Sequence, residues 1–496
     1  MKKLILFSVF SLAFITGKAQ VKSFTTDIND SFYNNFQSFS LRQTSDGGYI
    51  QTGYVPLSQT IGNIYLIKLD AYGKKRWYHI ITDTFLEDSR TIRQTADGGF
   101  AIGGSTDKNG NFDFLLDKFD SAGNLLWSKT YGTANNVYAI SMQLTKDGGY
   151  IIAGYSESSN TSFSTFDLGY VVKINSKGNT TWTMTFDDTT NQSRAYSISQ
   201  TSDGGYIVGG YKVIDTLYNY VYILKIDSNG KKTWDKTYGD PSHVFDFVLF
   251  SIIQAKDGSY IATGKREVDS TSGSSSNVFV FKANSNGDSL WLKAYAGDSS
   301  AGRDITQAKD GEYVVTGANS VGINDEVYLL KMSSSGIKRW EKNLPTVTDG
   351  TGSSIMQTTD GGYALSGYQI INSDYFGALA IKTDTSGNVP GPVDTLYVPD
   401  NNSVNTGISQ SNINPESIIT LYPNPFNTQT TIYVKNITLQ QASLSIYSLD
   451  GKEINQVENI SGNQIYINRN NLSNGVYLYR LVNNGQVIST GKIIVE

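Results

Sequence analysis

The chain has 496 residues, too many for one ordinary hydrophobic core, so two or more structural units are expected. Its net charge is −5 and no basic stripe is present, which argues against a nucleic-acid partner. The absence of cysteine excludes disulfides, thiolate metal sites and cysteine nucleophiles, and His79 and His243 are the two histidines available for imidazole chemistry. The 32 tyrosines and 48 glycines favour many short strands joined by tight turns.

The first 19 residues have the pattern of a secretory signal peptide. Two lysines precede an apolar run over 4–15 that is short for a membrane span, and small residues before Gln20 predict cleavage there. An N-terminal membrane anchor is the alternative. Because no lipobox cysteine is present, a lipoprotein is excluded.

A tetrapeptide of the type Asp-Gly-Gly-Tyr recurs seven times at intervals of 50 to 56 residues. Its aspartates are Asp46, Asp97, Asp147, Asp203, Asp257, Asp310 and Asp360. Each of the six tryptophans lies four residues after the glycine of a second turn in the same repeat. They are Trp77, Trp127, Trp182, Trp234, Trp291 and Trp340. A fixed period of this length is typical of β-propeller blades.

The repeat around Asp203 illustrates the strand assignment, with strands predicted over 196–201, 206–211, 220–226 and 232–238. The Asp-Gly-Gly segment is a tight turn, because aspartate can hydrogen-bond the turn backbone and glycine adopts a positive φ without a clash. Four antiparallel strands per repeat predict an all-β fold, with a seven-bladed β-propeller over 20–388. The tryptophans are interpreted as packing between blades, with ligand stacking as the alternative.

The ends of the repeat array predict how the ring closes. The seventh repeat lacks a fourth strand and a tryptophan, and an orphan strand over 23–28 precedes the first repeat. This orphan resembles the fourth strand of a repeat. The N-terminal strand is therefore predicted to complete the last blade and to cover edges that would otherwise be exposed.

The remainder of the chain differs in composition. Residues 389–420 are rich in proline, asparagine, serine and glycine and are predicted to be a linker. Within it, Asp394-Thr395-Leu396 resembles the O-glycosylation sequence of secreted Bacteroidetes proteins, with a plain linker as the alternative. Alternating apolar and polar residues then predict a small β-sandwich over 421–496.

The C-terminal segment also carries ordered motifs. These are Tyr422, Pro423, Asn424, Pro425 and Phe426 at its start, Gly475 before a strand, and Gly491 and Lys492 in the last strand. They resemble the type A C-terminal sorting domain of cargo of the Bacteroidetes type IX secretion system, and the whole chain resembles secreted β-propeller repeat proteins of that group. One departure is Lys452, where that family often has arginine, which keeps the charge.

The resemblance implies a route and partners. It implies export by the signal peptide to the periplasm, contact with the type IX secretion machinery, and passage to the cell surface or the medium. It further implies removal of the sorting domain, followed by release or by covalent attachment to surface lipopolysaccharide.

No motif for catalysis, cofactor or metal is found, so none of these is predicted. The glycine pairs lie in hairpins rather than phosphate loops, and two histidines without a nucleophile elbow do not indicate a triad. The carboxylate pairs Glu87-Asp88, Asp187-Asp188 and Asp325-Glu326 are assigned to solvated loops, and His79 to a structural position on an outer strand. Arg42 and Arg93 occupy the first strands of neighbouring blades, whereas a sialidase would need three converging arginines.

A glutamine recurs three residues before the turn aspartate in six repeats. These are Gln43, Gln94, Gln200, Gln254, Gln307 and Gln357, with Leu144 at the equivalent position of the third repeat. Because this strand is the innermost of its blade, the glutamines could line the channel and bind a ligand. We favour the alternative, in which each amide bonds to the backbone of a neighbouring blade.

The loops differ between the two faces of the predicted propeller. Turns that join strands one and two, or three and four, are short and nearly constant, whereas the loops on the opposite face vary, as over 156–168, 240–247 and 267–277. Because variable loops on a rigid scaffold commonly carry function, a ligand face is predicted there. Its candidate residues are Phe163, Phe166, Tyr218, His243 and Phe245.

The predicted function is binding of a glycan, a peptide or a protein at the cell surface. The alternatives are an extracellular hydrolase or lyase that acts on a polymer, and a structural or adhesion protein of the surface.

Overall fold

A computed structural model describes residues 24–28, 36–389 and 419–495, apart from short gaps at 57–61, 82–84, 162–163, 187–191, 215–217, 240–244, 269–274, 296, 298, 322–323, 345–348, 373–374, 423, 435–438, 449–451, 470–471 and 484–485. The predicted signal peptide and Asp394-Thr395-Leu396 lie outside the described residues. The chain divides into two compact units, Met1–Ser403 and Val404–Glu496. Within the described residues, no helix has the length and apolarity needed to cross a membrane.

The described part of the first unit consists of seven four-stranded antiparallel sheets. Its strands are β1 Phe24–Ile28, β2 Gln37–Gln43, β3 Tyr49–Pro56, β4 Gly62–Leu69, β5 Lys75–Ile81, β6 Glu87–Gln94, β7 Phe100–Thr106, β8 Asp113–Phe119, β9 Leu125–Tyr131, β10 Val137–Leu144, β11 Tyr150–Thr161, β12 Ser164–Ile174, β13 Thr180–Thr185, β14 Ser193–Gln200, β15 Tyr206–Ile214, β16 Tyr218–Ile226, β17 Lys232–Tyr238, β18 Phe245–Gln254, β19 Tyr260–Val268, β20 Ser275–Ala283, β21 Ser289–Tyr295, β22 Ser300–Gln307, β23 Tyr313–Val321, β24 Asn324–Met332, β25 Lys338–Leu344, β26 Gly350–Gln357, β27 Tyr363–Asn372 and β28 Tyr375–Thr383. From the innermost strand outwards, blades 1 to 6 are β2 to β5, β6 to β9, β10 to β13, β14 to β17, β18 to β21 and β22 to β25.

The seventh blade has the order β26-β27-β28-β1, so the N-terminal strand is its outermost strand, as predicted. Blade 1 packs against this blade: the amide of Leu41 donates to Ser354 Oγ at 3.1 Å, and Gln51 Nε2 donates to the carbonyl of Leu379 at 2.9 Å. The ring of blades is therefore closed, and the predicted β-propeller is confirmed.

The repeated motif forms the turn between the first two strands of each blade, as predicted, with Asp-Gly-Gly in five blades, Asp-Gly-Ser in blade 5 and Asp-Gly-Glu in blade 6. The first glycine of each turn has φ between 77° and 89°, a region that favours glycine. In blade 1 the amide of Gly48 donates to Asp46 Oδ1 at 3.0 Å. A Cβ atom on Gly48 would lie 2.4 Å from the carbonyl oxygen of Leu69, which favours glycine there, although blades 5 and 6 have Ser259 and Glu312 at the equivalent position.

A lysine on the third strand of each blade pairs with the turn aspartate at 2.7 to 3.1 Å, a contact that sequence reasoning missed. The pairs are Lys68–Asp46, Lys118–Asp97, Lys173–Asp147, Lys225–Asp203, Lys282–Asp257, Lys331–Asp310 and Lys382–Asp360. The lysine stems lie in the blade interior, and the ammonium groups reach the turn at its edge.

The tryptophans pack between blades, as predicted. Trp77, for example, lies with its ring centroid 6.1 Å from that of Phe100, the aromatic residue after the next blade's Asp-Gly-Gly turn. Four further pairs have centroid distances of 5.9 to 6.2 Å: Trp127–Tyr150, Trp182–Tyr206, Trp234–Tyr260 and Trp340–Tyr363. In these five tetrapeptides the last residue is thus an aromatic residue that meets the tryptophan of the neighbouring blade.

The second unit is a small two-sheet domain. Its strands are β29 Ile419–Tyr422, β30 Gln429–Val434, β31 Leu439–Tyr447, β32 Glu453–Gly462, β33 Gln464–Asn468, β34 Gly475–Asn483 and β35 Gln486–Val495. The sheets have the orders β29-β30-β33 and β32-β31-β34-β35. Buried side chains of both sheets, such as Ile432 and Leu481, form one core, which is the predicted β-sandwich.

Three sequence assignments were wrong. Glu87 and Asp88 begin β6 rather than lying in a loop, and Glu87 is buried. Asp325 and Glu326 lie in β24, at its solvent-accessible start. The segment 156–168 is mostly the long hairpin of β11 and β12, because cross-strand pairs such as Ser158 with Phe166 continue the ladder outwards. Asp187 and Asp188 lie outside the described residues.

Candidate functional site

The innermost strand of every blade contains a β-bulge at the same position. In β2 the pairing register with β3 shifts between Ser38 and Ser40, and the other six innermost strands shift at the equivalent place. The bulged residues are Phe39, Arg90, Ile140, Tyr196, Phe250, Arg303 and Ser353. Bulges re-aim side chains, and all seven of these residues line one central cavity.

The cavity has a volume of about 1030 Å³ and extends from the starts of the first strands and the ends of the second strands, as at Gln37 and Tyr54, along the channel to later residues of the first strands such as Arg42 and Met356. It therefore opens on the side of the variable loops. Among the described residues that line it are eight half-buried aromatic side chains: Phe39, Tyr54, Phe112, Tyr138, Tyr155, Tyr196, Phe250 and Tyr368. Several contact one another, as in the stacked pair Tyr138 and Tyr155 with ring centroids 5.1 Å apart.

Three tyrosines of this cavity, Tyr54, Tyr138 and Tyr155, keep their protons at neutral pH. Burial raises the pKa of Tyr54 and Tyr155, and burial together with the nearby Glu157 raises the pKa of Tyr138 to about 12. These phenols are therefore hydrogen-bond donors for a ligand rather than bases.

Two arginines at the bulges stack on aromatic rings. The guanidinium of Arg90 lies 4.5 Å from the ring centroid of Phe39 and is paired with Asp88 at 2.8 Å. The guanidinium of Arg303 lies 4.5 Å from the centroid of Phe250 and is exposed. Stacking on a ring fixes the guanidinium plane while leaving its edge donors accessible.

Two further arginines, Arg42 and Arg93, lie three residues beyond the bulges on the adjacent strands β2 and β6. One NH1 group of each donates to a carbonyl of its own strand at 2.8 Å. Burial lowers the pKa of Arg42, and Asp304 opposes that effect. Burial and the charge of Arg42 together lower the pKa of Arg93 well below its usual value. The two guanidiniums therefore repel each other in a poorly solvated place.

The carboxylate of Asp304 accepts three hydrogen bonds from neighbouring blades and its own strand. Its Oδ1 accepts from Ser251 Oγ at 2.7 Å and from the amide of Ile305 at 2.9 Å, and its Oδ2 accepts from the amide of Ile355 at 2.9 Å. Asp304 thus joins blades 5, 6 and 7.

Hydroxyl groups one residue past the bulge join other blades in a similar way. Ser354, Thr91, Ser141 and Ser197 each accept a hydrogen bond from an amide of the next blade at 3.1 to 3.4 Å. Ser40 occupies the same position in blade 1 and is 2% exposed, but its Oγ has no hydrogen-bond partner among the described residues. Ser40 lines the cavity.

The candidate ligand face from sequence lies beside this cavity rather than in it. Phe166 belongs to β12, Tyr218 begins β16 and Phe245 begins β18, where it packs under Arg266 at 4.4 Å. Among the described residues that line the cavity, none of these three occurs. Phe163 and His243 lie outside the described residues, and a ligand role for the five stays a prediction.

The glutamines of the first strands join blades at the opposite end of the channel, as we favoured. The Oε1 of each accepts an amide hydrogen bond from the preceding blade's turn at 2.7 to 2.9 Å, as in the bond from Thr359 to Gln43. Leu144 cannot make this bond in blade 3. His79 also contacts the next blade, with its Nε2 at 3.1 Å from the carbonyl oxygen of Ala122.

The sorting motifs of the second unit lie side by side. The side chain of Asn424 accepts from the amide of Ile494 at 2.7 Å and donates to the carbonyl of Lys492 at 3.1 Å. Phe426 is buried in the core and donates its amide to the carbonyl of Ile494 at 3.0 Å. Gly475 pairs with Val495, and Gly491 pairs with Tyr479. Pro423 lies outside the described residues.

Residues 420–496 match the family of secretion system C-terminal sorting domains. This segment is a type IX sorting domain. The chain is therefore cargo of the type IX secretion machinery, delivered to the cell surface or the extracellular space. The motifs from Tyr422 to Phe426 and from Gly491 to the C-terminus are the two edges of this domain that Asn424 connects.

Known proteins resemble other parts of the chain more distantly. A relative is the regulatory protein FlaEY of Caulobacter vibrioides, 30% identical over 19% of this chain and 11% of that protein. The chain thus spans about a tenth of the curated relative that it matches.

Solved structures with a similar chain trace include the polysaccharide lyase Uly1, with a TM-score of 0.49, 8% identity, and coverage of 76% of this chain and 94% of that one. Another is the α-L-arabinanase of Penicillium chrysogenum, with a TM-score of 0.40, 13% identity, and coverage of 63% and 98%. A third is Sqt1 of Chaetomium thermophilum, with a TM-score of 0.45, 10% identity, and coverage of 76% and 87%.

Proposed function

We propose that this protein is an exported glycan-binding protein whose ligand occupies the central cavity at the bulged end of the channel. The observation that carries the proposal is the set of aromatic residues and arginines which seven aligned bulges direct into one cavity of about 1030 Å³. A cavity of this size accommodates several sugar rings.

The chemistry of the lining supports a sugar ligand. The C–H face of a sugar ring packs on the electron-rich face of an aromatic ring, and its hydroxyls need hydrogen-bond partners at the edge. The lining of this cavity combines half-buried aromatic rings with serine hydroxyls, tyrosine hydroxyls and guanidiniums. A peptide could use the same groups, so it is retained as an outcome of the test.

The state of the carboxylates supports binding over hydrolysis. Asp88 and Asp304 are the acidic residues among the described residues that line the cavity. Asp304 accepts three hydrogen bonds, and Asp88 accepts three from Arg90 and the amide of Ser105. Carboxylates engaged in this way are positioned as structural acceptors rather than as a proton donor or nucleophile for a glycosidic bond.

The test is a glycan and peptide array with the full chain, followed by calorimetric titration of the best ligand. Replacement of the bulged aromatics, Tyr196→Ala and Phe250→Ala, should weaken binding about 3- to 10-fold each, because a lost aromatic stack costs about 0.5–1.5 kcal/mol. Phe166→Ala is the matched control, an aromatic residue outside the cavity, and should bind normally.

Three outcomes would contradict the proposal. If Phe166→Ala weakens binding and the cavity variants do not, the ligand lies on the outer face predicted from sequence. If peptides bind and glycans do not, the ligand class is wrong. If the bound glycan is consumed, the protein is a hydrolase or lyase.

We further propose that removal of the sorting domain is coupled to attachment to surface lipopolysaccharide. The support is the sorting domain itself together with the resemblance of its motifs. The intact mass of the protein recovered from the cell surface should then exceed the polypeptide without residues 421–496 by a heterogeneous glycolipid mass. A sharp polypeptide mass, found only in the medium, would indicate release.

A further inference from the structure

Resting on the proposed function, we infer that the glycan is acidic, and that Arg42 and Arg93, with the Ser40 hydroxyl, form a subsite for its carboxylate or sulfate groups. Such a subsite would select among polymers that share the same ring geometry but differ in charge. It specifies the ligand class that the aromatic lining alone leaves open.

The charge of the cavity differs in sign from that of the chain. Its described lining contains four arginines, Arg42, Arg90, Arg93 and Arg303, and two aspartates, which gives +2, whereas the whole chain carries −5. A concave site of one sign inside a protein of the other sign concentrates ligands of the opposite charge.

The guanidiniums of Arg42 and Arg93 lack an anionic partner. Each has one hydrogen bond, to a carbonyl of its own strand, and neither forms a salt bridge with any described residue. A guanidinium has five N–H donors, so most donors of both side chains remain available. Arg90 differs from them, because Asp88 already neutralises it.

In the ligand-free protein, the position of the two guanidiniums makes their unpaired positive charge energetically unfavourable. The two arginines lie half-buried on neighbouring innermost strands, and burial together with the charge of Arg42 lowers the pKa of Arg93. An oxyanion between them would relieve the repulsion and supply bidentate acceptors, the geometry that guanidinium groups bind best.

Ser40 adds an independent indication. It lies two residues before Arg42 on β2, and residues two apart on a strand project to the same side. Ser40 is one of the residues that line the cavity, and its buried Oγ has no partner among the described residues, whereas the equivalent hydroxyls of blades 2, 3, 4 and 7 accept amide hydrogen bonds. A buried hydroxyl without a partner is uncommon, and an oxyanion at this place would provide one.

Asp304 does not substitute for the missing anion. Its carboxylate oxygens are occupied by Ser251 and by the amides of Ile305 and Ile355, and it forms no salt bridge with any described residue. The negative charge of Asp304 offsets part of the positive charge of Arg42 and Arg93 from a distance. It therefore raises the pKa of both arginines, against the lowering by burial.

The first experiment needs no identified glycan. The Tm of the full chain is measured in sodium sulfate and in sodium chloride at equal ionic strength, for the wild type and for the double variant Arg42→Gln/Arg93→Gln. Arg76→Gln, an exposed arginine on the outer strand β5, is the control that removes charge away from the cavity. Sulfate is excluded from protein surfaces and should raise the Tm of all three proteins to some extent, but it should raise the Tm of the wild type and of Arg76→Gln clearly more than that of the double variant.

The second experiment uses matched probes: an oligogalacturonate with its methyl ester, and a sulfated oligosaccharide with its desulfated form, alongside a broad array. Acidic members should bind more tightly than their neutral partners. The single variants Arg42→Gln and Arg93→Gln should each bind the acidic probe with an affinity about 10-fold or more below that of the wild type. Their affinity for any neutral glycan should change little. Preference for oligogalacturonate or for the sulfated probe identifies the oxyanion.

The outcomes separate this inference from the proposed function. Equal binding of acidic and neutral glycans, with wild-type affinity in the double variant, would overturn the acidic subsite and leave the glycan site standing. If sulfate raises the Tm through Arg42 and Arg93 but no acidic glycan binds, the inference would be overturned, because the two arginines would then be a site for small anions only. No glycan binding at all would overturn both. Variants are compared only if their tryptophan fluorescence and unfolding transition match the wild type.

Discussion

The two ends of the central channel are built differently from the same seven strands. At the turn end, an Asp–Lys pair recurs in every blade and a glutamine bridge joins six of the seven blade pairs. At the bulged end, the seven equivalent positions carry phenylalanine, arginine, isoleucine, tyrosine and serine. The residues repeated at the turn end stabilise contacts within and between blades. The residues that vary at the bulged position give the cavity an asymmetric lining.

This difference indicates that the turn end contributes mainly to the stability of the propeller and the bulged end mainly to ligand binding. The turn end holds buried lysines, satisfied amides and glycines that admit no side chain, so changes there should reduce stability. The bulged end projects side chains into open volume, so changes there should alter binding and leave stability nearly unchanged.

The largest effect on stability is expected from breaking the most buried Asp–Lys pair. Lys382 is 1% exposed in its side chain and Asp360 is 28% exposed. Asp360→Ala would leave a buried ammonium without its carboxylate and should reduce the free energy of unfolding by about 3 kcal/mol, measured by urea denaturation. Asp97→Ala should cost less, about 1 kcal/mol, because the site of this carboxylate is 59% exposed and water can replace it beside the ammonium of Lys118. Equal costs at both sites would show that burial of the pair does not set its contribution.

Low pH should reduce the stability of the propeller, because the turn aspartates of several blades become protonated together. Burial alone would raise the pKa of Asp46, but hydrogen bonds from Thr44, Lys68 and Gly48 outweigh burial and hold it at about 2. Asp97, Asp147, Asp203 and Asp257 also have pKa values of about 2, against about 3.9 for an unfolded chain.

Because these folded-state pKa values are depressed, their stabilisation is complete above about pH 4 and is lost as the pH falls toward 2. The Tm should therefore drop across that window, and it should drop less in Asp97→Asn, which has one such group fewer. A Tm that stays constant between pH 4.5 and 2.5 would contradict this account of the turn aspartates.

The bulged end should tolerate truncation. Ile140→Ala and Ser353→Ala remove bulged side chains that project into the cavity, and each should change the free energy of unfolding by less than about 0.5 kcal/mol. Urea denaturation of both variants checks this. A loss of 2 kcal/mol or more at either position would mean that the bulges belong to the core, and the contrast between the two ends would fail.

The smallest effect is expected from completing the glutamine ring. Leu144→Gln would give blade 3 the residue that the other six blades have, and a new amide bond to blade 2 should add about 0.5–1 kcal/mol, partly offset by lost packing of the half-buried Leu144. The reverse change, Gln200→Leu, removes such a bond and should cost about 1 kcal/mol. The urea midpoint of both variants is the measurement, and a midpoint lowered by Leu144→Gln would contradict the assigned role.

The fold could be predicted because its signals are local and repeated. Asp203-Gly204-Gly205 specifies a turn through short-range chemistry, and the spacing of Trp234 after Gly230 marks an outer strand without knowledge of the partner. The closing strand could be predicted because a missing strand at one end matched an extra one at the other. The Lys–Asp pairs were missed, although both residues recur, because their contact depends on how the third strand lies beside the turn.

The site was less predictable because a bulge is a property of strand pairing. Around Phe39 the residues alternate as in any strand, and only the shifted register with β3 directs that side chain into the channel. The aromatic residues chosen from sequence, such as Tyr218, belong to extended hairpin ends beside the cavity. The sequence places Arg42 and Arg93 on neighbouring strands, but their lack of an anionic partner depends on the positions of Ser40 and Asp304, which the sequence does not specify.

The most direct test of the central claim is a hydrogen-exchange footprint of the full chain with the best glycan of the array. We predict slower exchange in the first halves of the innermost strands, including 38–42, 89–93 and 302–305, and no change at the turns 44–48, 95–99 and 358–362. Slower exchange at those turns, or on the outer hairpins alone, would contradict the assignment of recognition to the bulged end.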